Sequence, residues 1–206
     1  MARRVPTLPD VVDTVSTGAG QYFGAMNTAD YDDAAVCGAC VEVTRDGTKT
    51  VDLTIVDQCP TASNPKCTAG HIDLSEAAFE QIGLASEGYL GTGNGGAVGV
   101  ISWKYIPCPV TTDVTFEIKP GSTQYYAPIL VESHRYPIVS VEAKLSDTWT
   151  QATRQSYNYW IVGGGGLGVE PFDVRATDIN GSVLAATIDL SPGVAQSAGE
   201  QFPICK

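Results

Sequence analysis

Two carboxylates on either side of a short cysteine-containing loop are the residues of this chain best suited to chemistry. Asp57 lies in Asp57-Gln58-Cys59-Pro60, and Asp73 lies in Gly70-His71-Ile72-Asp73-Leu74-Ser75. A pair of acids on a rigid scaffold indicates acid chemistry on a sugar or a similar polar substrate. Alternatively, Asp57 is a turn residue and Asp73 a residue at a helix start, and the local pattern does not decide between these interpretations.

The elements around the loop would fix the positions of the two acids. Residues 51–56 alternate between apolar and polar, which predicts a half-buried strand that ends at Asp57. Ser75 and Gly83 are typical of the two ends of a helix, which is predicted over residues 75–82, directly after Asp73. A Cys59–Cys67 disulfide would hold the acids in fixed relation and add roughly 2–4 kcal/mol of stability.

Composition limits the possible partners. The 206 residues are 43% hydrophobic, which is enough for a folded core, and 22 Gly with 12 Pro favour short strands and many turns. The formal net charge is −11, which argues against nucleic acid and anionic membranes. A neutral polysaccharide is compatible with this charge, and a polyanionic one is less so. We expect no cofactor, no metal, no membrane partner and a monomer.

The six cysteines indicate disulfides rather than a metal or redox site. Cys37 and Cys40 form one C-x-x-C, but zinc needs a second closely spaced pair, and a thioredoxin-like site needs a βαβ context. Disulfides in turn favour an oxidising, extracellular compartment. Residues 1–6 lack the apolar stretch of a signal peptide, so we expect that a secreted form carries one that this sequence lacks.

The chain divides by pattern at Pro107-Cys108-Pro109. Before it we predict a loose leader at 1–16, a first strand at 17–24 that runs into a turn, a loop at 25–36, a hairpin from 40–44 and 49–56 around Asp46-Gly47, and a strand at 98–105. After it, strand-like segments recur near 113–119, 127–132, 138–145, 158–162, 171–177 and 183–189. This spacing predicts an all-β sandwich over 109–206, after a first domain at 1–108 with an ordered core from about 17.

The glycine repeats at 91–96 and 163–168 open no helix, so we interpret both as loops and infer no dinucleotide.

Aromatic residues in the second domain could bind a sugar. Tyr125, Tyr126 and Tyr157, if exposed, could stack on pyranose rings, and core packing is the alternative. Core packing is the favoured interpretation for Trp149 and Trp160, which lie in strand-like surroundings.

Motifs in both domains resemble those of bacterial expansins over residues 18–206. The matching stretches are Val56-Asp57-Gln58-Cys59-Pro60, Gly70-His71-Ile72-Asp73-Leu74-Ser75, Ile101-Ser102-Trp103-Lys104, Phe116-Glu117-Ile118-Lys119-Pro120-Gly121, His134-Arg135-Tyr136-Pro137 and Ala176-Thr177-Asp178-Ile179-Asn180-Gly181. The resemblance implies an all-β chain, in which a six-stranded double-ψ β-barrel related to family 45 endoglucanases precedes an immunoglobulin-like cellulose-binding β-sandwich.

The resemblance also implies roles for individual residues. Asp73 takes the place of the hydrolases' general acid, and Asp57 is the second acid of the groove. The expected sugar contacts are Tyr125, Tyr126, Tyr157 and Lys119 in the sandwich and Gln21 and Tyr22 in the barrel. The hydrolases' general base follows an aromatic pair, and here Tyr22-Phe23 is followed by Gly24, so the base is missing. The implied disulfides are Cys40–Cys108 and Cys59–Cys67, which leaves Cys37 to pair with Cys205.

We therefore expect a secreted, non-hydrolytic protein that binds cellulose and related plant cell-wall glucans and loosens the wall. One alternative is a weak inverting endoglucanase that draws its base from Asp30, Asp32 or Asp33. The other is a pure carbohydrate-binding protein, for example an elicitor.

Overall fold

A computed structural model of the protein describes residues 2–5, 20–91 and 99–204, with only the backbone of residues 2–5. The chain forms two compact units, one made of residues 1–32 with 36–108 and the other of residues 33–35 with 109–206. Within the described residues, no helix is long and apolar enough to cross a membrane.

The first unit is a mixed sheet that curls into a nearly closed barrel. Its strands are β1 (Ala2–Val5), β2 (Phe23–Asn27), β3 (Cys40–Arg45), β4 (Lys49–Cys59), β5 (Ile72–Ser75), β6 (Tyr89–Leu90) and β7 (Ile101–Ile106). They lie in the order β6-β1-β5-β2-β4-β3-β7. The pairs β1–β5 and β2–β4 are parallel and the other neighbours antiparallel, so the chain crosses over between sheet positions rather than forming a simple meander.

Two predictions for this unit are confirmed. The hairpin of β3 and β4 closes through Asp46 and Gly47, both with positive φ. Helix α2 (Glu76–Ile82) begins after Ser75, whose side chain accepts a hydrogen bond from the Ala78 N–H, and ends at Gly83. Because both features depend on local pattern, they could be found without knowledge of the sheet.

The prediction for the N-terminal region was wrong in three respects. Residues 2–5 form β1 instead of a loose leader, while residues 6–19 lie outside the described part of the chain. The strand predicted at 17–24 in fact begins at Phe23 and continues to Asn27. The predicted loop at 25–36 therefore holds most of β2 and the short helix α1 (Thr28–Tyr31).

The second unit is a β-sandwich. Its strands are β8 (Thr115–Ile118), β9 (Ile129–Glu132), β10 (Ile138–Leu145), β11 (Thr148–Arg154), β12 (Trp160–Val162), β13 (Phe172–Asp178), β14 (Val183–Ile188) and β15 (Ala195–Ser197). They lie in the order β14-β13-β10-β11-β12-β9-β8-β15. The first half of β11 pairs with β10 and the second half with β12, so this strand passes from one layer to the other. Both layers contribute to one apolar core.

All six predicted strand regions of the sandwich contain a strand, but β11 and β15 were missed. The sequence of β11 is mostly polar, so its alternation is weak. Trp160 is buried in the core as predicted. Trp149 was wrongly assigned to the core, because it is half-buried beneath the guanidinium of Arg175, whose Cζ lies 4.3 Å from the ring centroid.

Two of the three expected disulfides are confirmed, Cys40–Cys108 and Cys59–Cys67. The third expected pair, Cys37–Cys205, includes a residue that lies outside the described part of the chain. Since β4 ends at Cys59, the Cys59–Cys67 disulfide ties the end of that strand to the loop before β5.

Candidate functional site

The two candidate acids lie in one row across three strands of the barrel. Ala25 of β2 pairs with Asp57 of β4 on one side and with Asp73 of β5 on the other. Residues in register project from the same face of a sheet, so the three side chains share a face. At ~4.8 Å between neighbouring strands, the Cα atoms of the two acids are about 10 Å apart. Asp57 is exposed, whereas Asp73 is only 8% exposed.

Asp73 is held by contacts to both carboxylate oxygens. Oδ1 lies 2.6 Å from Nε2 of His71, which is fully buried. Oδ2 lies 3.2 Å from Sγ of Cys59, in the disulfide, and 3.5 Å from Nδ2 of Asn64, which donates a hydrogen bond. The carboxylate is therefore fixed in orientation, with one oxygen on an imidazole and the other against a disulfide and an amide.

The hydrogen bonding of His71 selects its tautomer. Nδ1 is buried and has no hydrogen-bond partner in the described part of the chain. A proton on Nδ1 would be a buried, unsatisfied donor, which is costly. The favoured form therefore carries its proton on Nε2 and donates it to Asp73. The sequence contained His71 within a matching motif but gave no sign of this contact.

A buried amide and a nearby acid hold the backbone that carries His71. Nδ2 of Asn27 donates to Oδ2 of Asp30 at 2.6 Å and to the carbonyl of His71 at 3.0 Å. The same Asp30 oxygen accepts from the Gly70 N–H at 2.7 Å. Asp30 was a candidate general base, but its carboxylate is engaged in this clamp. The other candidates, Asp32 and Asp33, are exposed.

Tyr89 and Lys66 lie beside the acid site and were not predicted. The ring of Tyr89 is 5.9 Å from that of His71, and Nζ of Lys66 lies 5.5 Å from the Tyr89 ring centroid. Burial, together with the charge of Asp73, raises the pKa of the Tyr89 phenol. Neither residue belongs to a local pattern that would have identified it, because Tyr89 lies in β6, which has only two residues, and Lys66 lies in the loop between β4 and β5.

Three exposed tyrosines of the sandwich form what we call the tyrosine platform. Tyr125 and Tyr126 are 76% and 47% exposed, and Tyr157 is 49% exposed. Thr123 and Tyr126 exchange two backbone hydrogen bonds, so Tyr125 lies at the tip of a tight turn rather than in a strand. A hydrogen bond with Tyr126 raises the pKa of Tyr157.

Tyr159 and Lys119 border the tyrosine platform. The ring centroids of Tyr157 and Tyr159 are 5.8 Å apart, and Nζ of Lys119 lies 6.0 Å from the centroid of Tyr159. The structure thus brings Lys119 close to the aromatic group. Tyr159 was not among the sugar contacts predicted from the sequence.

Comparison with known proteins identifies the family. The domain family described as lytic transglycolase matches residues 13–93. Expansin-YoaJ of Bacillus subtilis is 30% identical over 183 residues, which cover 87% of this chain and 72% of that protein. Expansin-like protein 5 of Dictyostelium discoideum is 31% identical over 196 residues, which cover 92% of this chain and 76% of that protein. This chain belongs to the expansin family.

Solved expansin structures agree with the fold. The crystal structure of apo Clavibacter michiganensis expansin matches with a TM-score of 0.79 at 25% identity and covers 99% of this chain and 97% of that one. A mutant of the Clavibacter protein in complex with cellohexaose matches with a TM-score of 0.82, at the same identity and coverage. The predicted all-β fold, a double-ψ barrel followed by a β-sandwich, is thereby confirmed.

The structure changes the position at which a general base would have to stand in this expansin. The sequence placed it at Gly24, but that residue is buried, and a Cβ there would lie 2.9 Å from the Asp73 carbonyl oxygen and 3.1 Å from Leu53 Cδ1. A side chain there would force the β5 backbone to shift. Ala25 is the residue in register with both acids, so a third acid on their face would have to replace Ala25.

Gln21 and Tyr22 were predicted to contact the sugar. In the structure, the hydrogen bonds that hold them are made by their backbone carbonyl groups. The Gln21 carbonyl accepts from Oγ of Ser75 at 2.8 Å, and the Tyr22 carbonyl accepts from the Thr54 N–H at 3.2 Å. Gln21 is exposed and Tyr22 half-buried, directly before β2. A sugar contact by their side chains stays a prediction.

Glycines in the loop after β12 support the tyrosine platform. A Cβ on Gly166 would lie 2.7 Å from the carbonyl oxygen of Gln124, and a Cβ on Gly165 would lie 2.9 Å from the ring of Tyr126. The Gly165 carbonyl also accepts a hydrogen bond from the Ala127 N–H at 2.7 Å. The repeat is a loop, as predicted, and its glycines allow the backbone to pack directly against the turn that carries Tyr125.

Proposed function

We propose that this expansin is a secreted, non-hydrolytic protein that binds cellulose through the tyrosine platform and loosens plant cell walls. The observation that carries the proposal is the exposure of Tyr125 and Tyr126, on a turn that the glycine loop supports, together with that of Tyr157. Pyranose rings have apolar C–H faces that stack on such side chains. The existence of a cellohexaose complex of the Clavibacter protein supports a glucan as the ligand.

The barrel acids would act on the bound glucan without cleaving it. Inverting hydrolysis needs a general acid and a general base with a water between them. In this chain a methyl group, that of Ala25, lies between Asp57 and Asp73. Asp73, fixed by His71, would form a hydrogen bond with a glucan oxygen and so weaken contacts between chains. Two disulfides fit the oxidising environment of a secreted protein.

Binding and sugar release should be measured in the same tubes, with amorphous cellulose and purified protein. We expect cellulose binding without release of reducing ends above a blank. Joint replacement of the tyrosine platform by alanine should weaken binding at least about tenfold, since each aromatic contact is worth about 0.5–1.5 kcal/mol. Ile179→Ala, which removes an exposed apolar side chain at the β13–β14 turn, is the control. Unchanged affinity in the triple variant would refute the proposal.

A weak inverting endoglucanase is the second candidate, because Asp57 and Asp73 share a face. Their Cα separation of about 10 Å is compatible with the roughly 6.5–9.5 Å between carboxyl groups in inverting enzymes. In that case Asp57 would be the general base. Reducing ends released by the wild type and lost in both Asp57→Asn and Asp73→Asn would establish hydrolysis.

A further inference from the structure

Two carboxyl groups lie on the outer face of the sandwich layer that contains β8 and β9. Ile129 and Val131 of β9 are buried in the core, so the alternating side chains of Leu130 and Glu132 project from the opposite face. Glu117 of β8 is in register with Leu130 and therefore shares that face. This register makes Glu117 a diagonal neighbour of Glu132, at about 7–8 Å.

The acidic pair borders the tyrosine platform. Trp160 of β12, which pairs with β9, is buried in the core, so the preceding residue, Tyr159, projects from the same face as Glu132. The negative charges of Glu117 and Glu132 both raise the pKa of Tyr159, after the larger effect of burial. Since the ring of Tyr159 lies 5.8 Å from that of Tyr157, the two acids and the platform form one continuous surface.

Glu132 is largely buried, and no described protein group donates a hydrogen bond to it. The residue is only 5% exposed, and within the described part of the chain no hydrogen bond or ion pair engages its carboxyl group. Burial, reinforced by the charge of Glu117, raises the pKa of Glu132 to about 7. On its face, β8 and the residues beside it place Asp113, Thr115, Glu117 and Lys119, and the segment before β12 places Tyr157 and Tyr159. The neighbouring β15 contributes uncharged Ala195 and Ser197, and Oγ of Ser197 donates to Asp113.

We infer that Glu117, Glu132 and Tyr159 form a hydroxyl-binding subsite that receives the hydroxyl groups of a pyranose stacked on the tyrosine platform. The inference rests on the proposed function and specifies which part of the sugar is held beside the rings. No described protein group donates to the Glu132 carboxyl group, and sugar hydroxyls supply donors. Lys119 lies on the same aromatic group and can donate to a hydroxyl oxygen.

The subsite makes glucan affinity depend on pH. An ionised carboxylate accepts hydrogen bonds about twice as strong as those of a neutral group. Ligand hydroxyls therefore bind the ionised Glu132 better, and affinity rises as the pH increases through the range in which Glu132 titrates. By linkage, binding near neutral pH must also release protons.

Titration calorimetry of the full chain with cellohexaose, in buffers of different ionisation enthalpy, tests the subsite. For the wild type we expect affinity to rise about three- to tenfold from about pH 5.5 to pH 8.5, with proton release near neutrality. Glu132→Leu, which fills the buried position with an apolar group, should bind about five- to tenfold more weakly at the higher pH and show no pH dependence. Glu132→Gln keeps the shape of the side chain but cannot ionise, so the affinity of this variant for cellohexaose should also be independent of pH.

The outcomes separate the subsite from the proposed function. A wild type that binds equally at all pH values, or a Glu132→Gln variant with the pH dependence of the wild type, overturns the subsite and leaves platform binding intact. Failure of the wild type to bind cellohexaose or amorphous cellulose at any pH overturns the proposed function instead. If Glu132→Leu lowers the melting temperature, the Glu132→Gln titration decides the question.

Discussion

The barrel acids and the tyrosine platform achieve their geometry in opposite ways. Asp73 is almost buried, and His71, the disulfide and Asn64 engage both of its carboxylate oxygens. The platform tyrosines are roughly half or more exposed, and backbone packing of a turn against glycines sets the positions of Tyr125 and Tyr126. One site is specified by side-chain partners, and the other by the shape of the chain beneath it.

This difference predicts different responses to mutation. A partnered site is sensitive to the loss of any single partner, because the remaining groups are left buried and unsatisfied. A platform of separate rings loses affinity in steps, one contact at a time. Variants in the barrel and in the sandwich should therefore separate wall loosening from cellulose binding.

Asp73→Asn should have the largest effect on function. The amide keeps the size of the side chain but loses the charge that accepts the hydrogen bond from His71, so we expect wall loosening to fall at least about tenfold, by the loss of a charge-assisted hydrogen bond. Cellulose binding should stay within about twofold, because the platform is untouched. Extension of plant wall strips under constant load, paired with a binding isotherm, gives both numbers.

Asp52→Asn is the matched control for Asp73→Asn, since Asp52 is an exposed acid of the same barrel. It should leave extension and binding at wild-type values. Equal losses of extension and binding in Asp73→Asn would contradict the separation of the two sites.

Removal of the Cys59–Cys67 disulfide should be the largest single change in stability. The bridge spans a sequence separation of 8 residues and fixes the end of β4 beside Asp73. Chain entropy alone predicts a loss of about 2.5 kcal/mol for so short a loop. The double Cys59→Ala and Cys67→Ala variant should show this loss in denaturant unfolding, together with faster hydrogen exchange in residues 59–75. The protection of sandwich amides from hydrogen exchange should be unchanged. Equally faster exchange in both units would contradict a local effect.

The sequence could predict those features that depend on neighbours along the chain. The β3–β4 hairpin and the capped α2 each follow from a few adjacent residues. The row Asp57–Ala25–Asp73 could not be predicted, because it requires the register of three strands. Gly24 illustrates the limit. The local pattern predicted that a turn follows it, whereas in the structure the glycine is needed because β5 approaches it closely.

The site was predicted in part for the same reason. The acids belong to motifs that resemble those of expansins, the roles of the platform tyrosines follow from that resemblance, and the family assignment is confirmed. The clamp of Asn27 on the His71 carbonyl spans 44 residues, and the contact of Tyr89 with His71 depends on the folded barrel. Glu132 was missed because a single acid in an apolar strand gives no sign of which face it occupies or what covers it.

Glu132→Gln should change how the stability of the sandwich depends on pH. The pKa of Glu132 is about 7 in the fold, above its ordinary value of 4.5. The folded state therefore holds a proton that the unfolded state releases, so stability is greatest below about pH 4.5 and falls as the pH rises to about 7. The loss is roughly 2–3 kcal/mol at most. Unfolding free energies measured between about pH 5 and pH 8 should fall for the wild type and fall less for the variant. Identical slopes would contradict the assigned pKa.

Gly166→Ala should have a smaller effect, confined to binding. The new Cβ would lie 2.7 Å from the Gln124 carbonyl oxygen and 3.2 Å from the Tyr125 Cα, so the turn must shift. Displacing one ring from its stacking position should weaken cellulose binding about three- to tenfold, while wall extension per bound molecule is unchanged. Gly164→Ala is the matched control, because a Cβ there meets nothing within 4 Å. If both variants bind like the wild type, the turn tolerates the added methyl group and the glycine loop does not set the platform. If only Gly166→Ala is weakened, backbone shape controls this site, whereas side-chain partners control the barrel acids.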